Sequence, residues 1–415
     1  MFMLAAFIVA AEPIATNLTP ESAVITALAG NRDLIAARFA IHQAEGRLKQ
    51  AGLWPNPELE ISQQNDRAFA NEGEYNFSTG LRQRFPVTGR LAKAKSLARV
   101  DVALALAEVR NQERLLAGQV LDRSRQLLVA QEKFKANQEI QDTLQQLVQA
   151  SEKRIKAAEV SPADVNLTKL ELQKVSLAQA VLINKKGADQ MALNRLLGRD
   201  PRTPVEISGT LAAEFDTNQV MEMSRQVLAQ RPDRQMAALG VNRAAAEIRL
   251  ARAEKWEDWT VGFNYSRDNS QFVAPVGNKR DNFFGVSLSI PLPLWNRNQG
   301  NISAAQATQQ RAEAELNALD LGIVTEVQSA ADRLQRLADI LRQYREESIT
   351  LAQENISLLQ KGYSEGLISM TAVIQSQQQY IELRQGYLDT LGEYFSALTE
   401  WQTAAGLLPH NPTNN

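Results

Sequence analysis

Trp259-Thr-Val-Gly-Phe-Asn-Tyr-Ser266 and Phe284-Gly-Val-Ser-Leu-Ser-Ile290 decide the reading of this chain. In the first, Trp259, Val261, Phe263 and Tyr265 alternate with Thr260, Gly262, Asn264 and Ser266. In the second, Phe284, Val286, Leu288 and Ile290 alternate with Gly285, Ser287 and Ser289. Period two means strands with one apolar face and one face of small polar residues. A weaker pair precedes them: Leu59 and Ile61, then Tyr75, Phe77, Thr79 and Leu81, joined by the polar loop Asn65 to Glu74.

The two strand pairs belong to a unit written twice, about 200 residues apart. Leu28-Ala-Gly-Asn-Arg-Asp33 parallels Leu228-Ala-Gln-Arg-Pro-Asp233, and Gly80 to Pro86 faces Gly285 to Pro291. Val160-Ser161 faces Ile368-Ser369, and Leu197-Gly198 faces Ala405-Gly406. The growing offset places extra residues in the second hairpin loop, Asp268 to Asp281, and around Pro293. A duplication of this size means two copies of one supersecondary unit.

Each copy opens with a helix, about Pro20 to Ala51 and Pro232 to Lys255, and Trp54-Pro-Asn-Pro57 stops the first. The hairpins follow, with strands at about 57–66 and 74–86, then 257–267 and 282–291. A very long helix comes next. Residues 89–158 hold no proline, and about 70 residues at 1.5 Å each make roughly 105 Å. Its counterpart spans 300–362, with Leu316, Leu319, Ile323, Val327, Ala330, Leu334, Leu337, Leu341 and Tyr344 at spacings of three and four. That is a coiled-coil seam. Short turns lead into return helices at 162–198 and 370–407. The first repeat is thus 19–198 and the second 231–408. Residues 199–230 form the linker and 409–415 a disordered tail.

Composition removes most other classes of function. The 415-residue chain carries a net charge of −2, so nothing points to nucleic acid. It has no cysteine, which excludes disulfides and thiol chemistry. Two histidines, His42 and His410, are too few for a histidine-built site, and Met221 and Met223 sit on different helix faces with no Cys or His nearby. No nucleophile–base set or phosphate loop is present, so we expect no enzyme, no cofactor and no metal site. The apolar run Phe2 to Ala11 is too short to span a bilayer and reads as a signal-peptide core, giving 1–11 as signal peptide.

A helix of about 105 Å cannot fold into an ordinary globular core, so a bundle, rod or tube of similar helices is required. Four strands cannot close a barrel, and an open sheet cannot sit in lipid. Three chains supply twelve strands, an even number suited to a closed outer-membrane barrel. Leu59, Ile61, Phe77, Leu81, Val261, Phe263, Val286 and Leu288 then face lipid. Ser78, Gly262, Asn264, Ser287 and Ser289 face the lumen. A soluble sheet packed on the helices is the alternative.

From about Thr19 to Leu408 the chain resembles the outer membrane factor family, the TolC-like exit ducts of tripartite pumps. The likeness rests on the duplicated unit, on Leu28 to Asp33 and on the paired turns. Ser289-Ile-Pro-Leu-Pro-Leu-Trp-Asn-Arg-Asn-Gln-Gly-Asn301 and Arg84-Phe-Pro-Val-Thr-Gly-Arg90 are similar to the branch serving cobalt–zinc–cadmium resistance pumps. The resemblance implies a mainly α fold with a small β part: a homotrimeric twelve-stranded β-barrel in outer-membrane lipid, continued by a long periplasmic α-helical barrel. It implies two protein partners, a periplasmic adaptor (membrane fusion) protein and an inner-membrane RND transporter. The expected function is a passive exit channel for heavy-metal cations. Drug efflux, type I protein secretion and a soluble coiled-coil scaffold are the alternatives.

In that family the turns face the periplasm, close the pore and meet the adaptor. Glu159, Asp164 and Glu365 are the acids near them and become the expected cation path, a ring of charge in a trimer. Helix capping is the competing role: Ser161 before Pro162 fits an N-cap, and Asp164 fits a helix N-terminus. Well-known members carry an acidic pair just past the second turn. Here Ala372 and Gln375 stand there, so an acidic constriction has to come from the first copy. Val160, Ser161, Leu367, Ile368 and Ser369 are the expected adaptor contacts, with Leu367-Ile368 as an exposed apolar pair or as a staple of the turn.

Overall fold

The computed structural model describes residues 17–66, 68, 73–156, 160–211, 231–272 and 277–407. The expected signal peptide, Glu159, Met221, Met223, His410 and the tail lie outside them. The chain divides into two compact units, residues 1–36, 109–231 and 320–415, and residues 37–108 and 232–319.

The first unit is a helical bundle with a two-stranded parallel ribbon, β1 (Asn17–Leu18) with β4 (Glu206–Ile207). The first helix is two helices, α1 (Pro20–Gly30) and α2 (Arg32–Ala51), and not the single helix read from sequence. Asn31 makes the break. Its backbone is extended, its Oδ1 accepts from the Leu34 N–H at 2.9 Å, and its Nδ2 donates to the Leu196 carbonyl at 2.9 Å. A side chain that caps the second helix and bonds a distant one outweighs helix continuity.

The long helix α3 (Arg90–Lys156) runs uninterrupted for 67 residues. Its return partner α4 (Pro162–Leu197) starts at the N-cap Ser161 and ends at left-handed Gly198. The second long helix behaves differently. α6 (Gln299–Gln343) passes into a π-helical turn at Tyr344–Ser348 before α7 (Ile349–Ser364). The sequence reading took 300–362 as one unbroken helix. α8 (Met370–Ala405) buries 17 of its 36 residues.

Two apolar clusters hold this bundle. The upper joins Val129 and Ala136 of α3, Leu334, Leu337 and Leu341 of α6, and Leu388, Leu391, Tyr394 and Phe395 of α8. The lower joins Ile140 and Leu144 of α3, Val175 of α4, Tyr363 of α7, and Met370, Val373, Ile374 and Ile381 of α8. Two polar side chains inside the bundle, half-buried Arg125 and buried Asn137, find partners. Arg125 donates to Thr399 Oγ1 at 2.6 Å, and Asn137 Nδ2 to Gln179 Oε1 at 3.0 Å. Burial pulls the Arg125 guanidinium below its ordinary pKa, so these acceptors replace lost water.

The second unit holds α5 (Pro232–Ala253) and one antiparallel sheet in the order β2 (Glu58–Asn65), β3 (Tyr75–Phe85), β5 (Trp259–Phe272), β6 (Gly277–Ser289). β3 pairs with β5, so the two repeats share a sheet and leave β2 and β6 as edges. β5 and β6 run further than the expected 257–267 and 282–291. Asp268 pairs with Asp281 and Ser270 with Lys279 inside what sequence marked as loop.

Candidate functional site

Register puts the alternating residues of all four strands onto two faces. Leu59 lies opposite Leu81, Leu81 opposite Phe263, and Phe263 opposite Val286. The adjacent rows are Ile61, Thr79, Tyr265 and Phe284, and then Gln83, Val261 and Leu288. Phe77 aligns with Gln63 and Arg267. Every residue assigned to lipid therefore shares one face. Leu59, Ile61, Phe77, Leu81, Phe263, Val286 and Leu288 are exposed, and Val261 is half-buried.

The opposite face carries the rows Glu60, Gly80, Asn264, Gly285 and Glu58, Arg82, Gly262, Ser287. Its glycines make room for neighbours. A Cβ on Gly262 would meet Ser287 Oγ at 2.5 Å, and one on Gly285 would collide with Asn264 Oδ1. Two ion pairs cross this face, Arg82 to Glu60 at 2.7 Å and Arg84 to Glu58 at 2.5 Å. The sequence reading missed them, although Arg82 and Arg84 share the parity of Glu58 and Glu60 once the hairpin is paired. Ser78 and Ser289 share this face, as does the exposed Phe283, which breaks the alternation. Asn76 also bonds the Asp268 carboxylate there.

The foot of the sheet is fastened to the start of α3. Arg90 meets Asp258 through two bonds, Nε to Oδ1 at 2.7 Å and Nη2 to Oδ2 at 2.5 Å. The hydrogen bond from Arg90 holds the Asp258 carboxyl below its ordinary pKa, and the same bond raises that of Arg90. Trp54 meets Phe85 edge-on at 5.9 Å.

The turns of the first unit come together on the lower apolar cluster, where Val160 and Ile368 are both packed. Ser161 accepts from the Ala163 and Asp164 N–H groups at 3.1 and 3.4 Å. Asp164 Oδ2 accepts from the Ser161 N–H at 3.3 Å, closing a reciprocal cap. Asp164 therefore has a capping role in this structure. At the second turn Ser369 Oγ accepts from the Ala372 N–H at 3.4 Å, and no acid reciprocates. Glu365 is exposed and ends α7, its N–H donating to the Lys361 carbonyl at 3.1 Å.

Gly366 then turns left-handed at φ 79°, and the Leu367 N–H reaches the Gly362 carbonyl at 2.8 Å. Leu367 is 76% exposed, whereas Ile368 packs down over Gly362. The expected exposed pair is one exposed residue and one staple. Arg154 ties the turns, donating to the Tyr363 carbonyl at 2.9 Å with its guanidinium 4.6 Å from the Tyr363 ring.

Among the described residues no group of three or more His, Asp or Glu is placed to hold a metal ion, and no helix is long and apolar enough to cross a membrane. His42 is exposed beside Glu45 at 3.2 Å.

The chain is similar to the cobalt-zinc-cadmium resistance protein CzcC of Cupriavidus metallidurans, 24% identical over 382 residues, covering 92% of this chain and 88% of that one. It is also similar to the pyoverdine export outer membrane protein OpmQ of Pseudomonas putida, 25% identical over 396 residues, covering 87% and 80%. A crystal structure of CusC superposes with a TM-score of 0.73 at 20% identity, over 93% of this chain and 92% of that one. The sequence profile of the outer membrane efflux proteins matches residues 24–199 and 223–407. With that match across both repeats, the chain belongs to the outer membrane efflux protein family, whose members are transport channels of the outer membrane.

Proposed function

We propose that three copies of this chain close a twelve-stranded barrel in the outer membrane, continued into the periplasm by a barrel of helices. In this reading the duct passes heavy-metal cations. An inner-membrane RND transporter supplies the energy and a periplasmic adaptor makes the connection. The observation that carries the reading is the four-stranded sheet, with an exposed apolar face and two unpaired edges, β2 and β6. Edges left open in lipid would leave backbone groups unsatisfied. Pairing β6 of one copy with β2 of the next removes both.

The face of Leu59, Ile61, Phe77, Leu81, Val261, Phe263, Val286 and Leu288 then meets lipid, and the face of glycines, serines and Arg–Glu pairs lines the bore. At the turns, Asp164, with Glu159 and Glu365, supplies the charge of the cation path. Leu367, with Val160, Ser161, Ile368 and Ser369, meets the adaptor. Leu367 offers the largest apolar surface for that contact. The metal cargo is supported by likeness to CzcC, named for cobalt–zinc–cadmium resistance. Likeness at a similar level of identity to OpmQ, named for pyoverdine export, favours a pyoverdine-like cargo as the second reading.

Expression beside its adaptor and pump, in a host lacking its own metal-exporting duct, tests the metal reading. Restored tolerance to cobalt, zinc or cadmium supports the metal reading. Assembly into the outer membrane without any gain in metal tolerance refutes it.

A further inference from the structure

The π-helical turn at Tyr344–Ser348 leaves an apolar stripe outside the chain's own core. On α6 the buried seam runs Ile323, Val327, Ala330, Leu334, Leu337, Leu341, at steps of four and three. Continued without interruption, that rhythm reaches positions 351 and 358. A π turn adds one residue and advances the seam by one. Below it the inward positions are instead Ala352, Ile356, Leu359 and Tyr363. Leu351 and Leu358 are turned out, 72% and 68% exposed. They line a groove of about 820 Å³ between α7 and α8, with Ala352, Ser376, Gln379 and Leu383.

A second exposed stripe lies on α4 of the same unit. Its inner face is Val165, Thr168, Glu171, Val175 and Gln179. Its outer face carries Leu170, Leu177 and Val181, each about two-thirds exposed. Leu170 and Leu177 are seven residues apart, as are Leu351 and Leu358.

We propose that the α7–α8 groove receives α4 of a second copy of this chain. This rests on the assembly reading above, in which copies are related by rotation about an axis along the helices. Such a rotation keeps height. Both turns pack on one apolar cluster, so heights are counted from them. Leu358 stands eight residues from Gly366 and Leu351 fifteen. Leu170 stands nine residues from Ser161 and Leu177 sixteen. The offset is one residue throughout, about 1.5 Å.

Leu358 therefore meets Leu170 and Leu351 meets Leu177, with the helices antiparallel. Charge follows the same rule. Glu354, on the groove, is twelve residues from Gly366, and Lys174, between the two α4 leucines, is thirteen from Ser161, with Glu171 of its own helix 3.6 Å from its Nζ. The contact is heterologous, groove to stripe, and such contacts close into rings.

The chain has no cysteine, so introduced pairs are unique. Leu358→Cys with Leu170→Cys, and Leu351→Cys with Leu177→Cys, are oxidised in outer-membrane vesicles and run on denaturing gels. Both matched pairs are expected to give a covalent trimer. The mismatched pair Leu351→Cys with Leu170→Cys, about 10 Å out of step, is expected to give less than a tenth as much. A chain that is trimeric before oxidation but yields no covalent trimer from matched pairs overturns the groove alone. So does one that links within itself, links to the adaptor, or links equally through the mismatched pair. A chain that is monomeric before oxidation overturns the assembly reading and the groove with it.

Discussion

Val286→Arg puts a charge at the centre of the exposed apolar face. Along β5 that face runs from Trp259 to Arg267, and Phe263 is its midpoint. Val286 pairs directly with Phe263 and is 67% exposed. An arginine near the bilayer midplane of a barrel costs about 2–4 kcal/mol. At about 1.4 kcal/mol per factor of ten, each copy loses roughly 30- to 700-fold in its insertion equilibrium, and a trimer carries the change three times. Ser287→Arg moves the same charge one residue along, onto the face where Gly262 leaves space beside it. Its expected cost is within about 0.5 kcal/mol, as for a surface substitution. Refolding from urea into lipid vesicles, followed by the fraction of detergent-resistant trimer, measures both. Equal defects in the two variants, or a larger one in Ser287→Arg, would refute the assignment of the faces.

Asp164→Asn keeps an oxygen for the Ser161 N–H, so α4 is expected to stay folded while single-channel recordings show a weaker preference for cations. Unchanged selectivity in an intact trimer leaves Asp164 as a cap alone. Asp258 has a depressed pKa because of Arg90, so the bridge stabilises the folded state at neutral pH. That contribution is lost as pH falls below the ordinary carboxylate range, through the depressed value. Asp258→Asn should therefore flatten the acid limb of unfolding followed by tryptophan fluorescence. An acid limb as steep as that of the unchanged protein counts against the bridge. Deleting Glu347 from the π turn should restore an unbroken helix while keeping Ala352, Ile356, Leu359 and Tyr363 on the seam, so maleimide labelling of Leu358→Cys should stay at the unchanged rate. A several-fold loss of labelling would mean that the turn does not set the phase.

Much of the fold was legible because strong periodicities carried it. The dyad of Trp259 to Ser266 and the three-four rhythm of Leu316 to Tyr344 each bury or expose a whole face, so errors of one residue would be visible. The extension of β5 and β6 was not legible. Asp268, Asn269, Lys279 and Arg280 are polar on both faces, and pairing there rests on backbone bonds that leave no pattern. The break at Asn31 lay inside a motif already singled out, but its cause is a bond to Leu196, 165 residues away.

The π turn had a signal in the sequence. Past Tyr344, Ile356, Leu359 and Tyr363 lie one position off the rhythm set by Leu334, Leu337 and Leu341. At the turns, residue types suggested both capping and conduction. Only the packing separates Leu367, which is exposed, from Ile368, which holds the turn.

The pairing of β3 with β5 sets an order of events during synthesis. Phe85 lies opposite Trp259, so the middle of the sheet joins segments separated by about 170 residues. At about 5–20 residues per second, β2 and β3 exist for roughly 10–30 s before their partner strand is made. During that interval the outer edge of β3 is a row of unsatisfied donors and acceptors beside exposed Phe77 and Leu81. Such long-range pairing is slow to nucleate. The middle of the sheet therefore cannot close until β5 is made, and until then the free edge of β3 is open to mispairing.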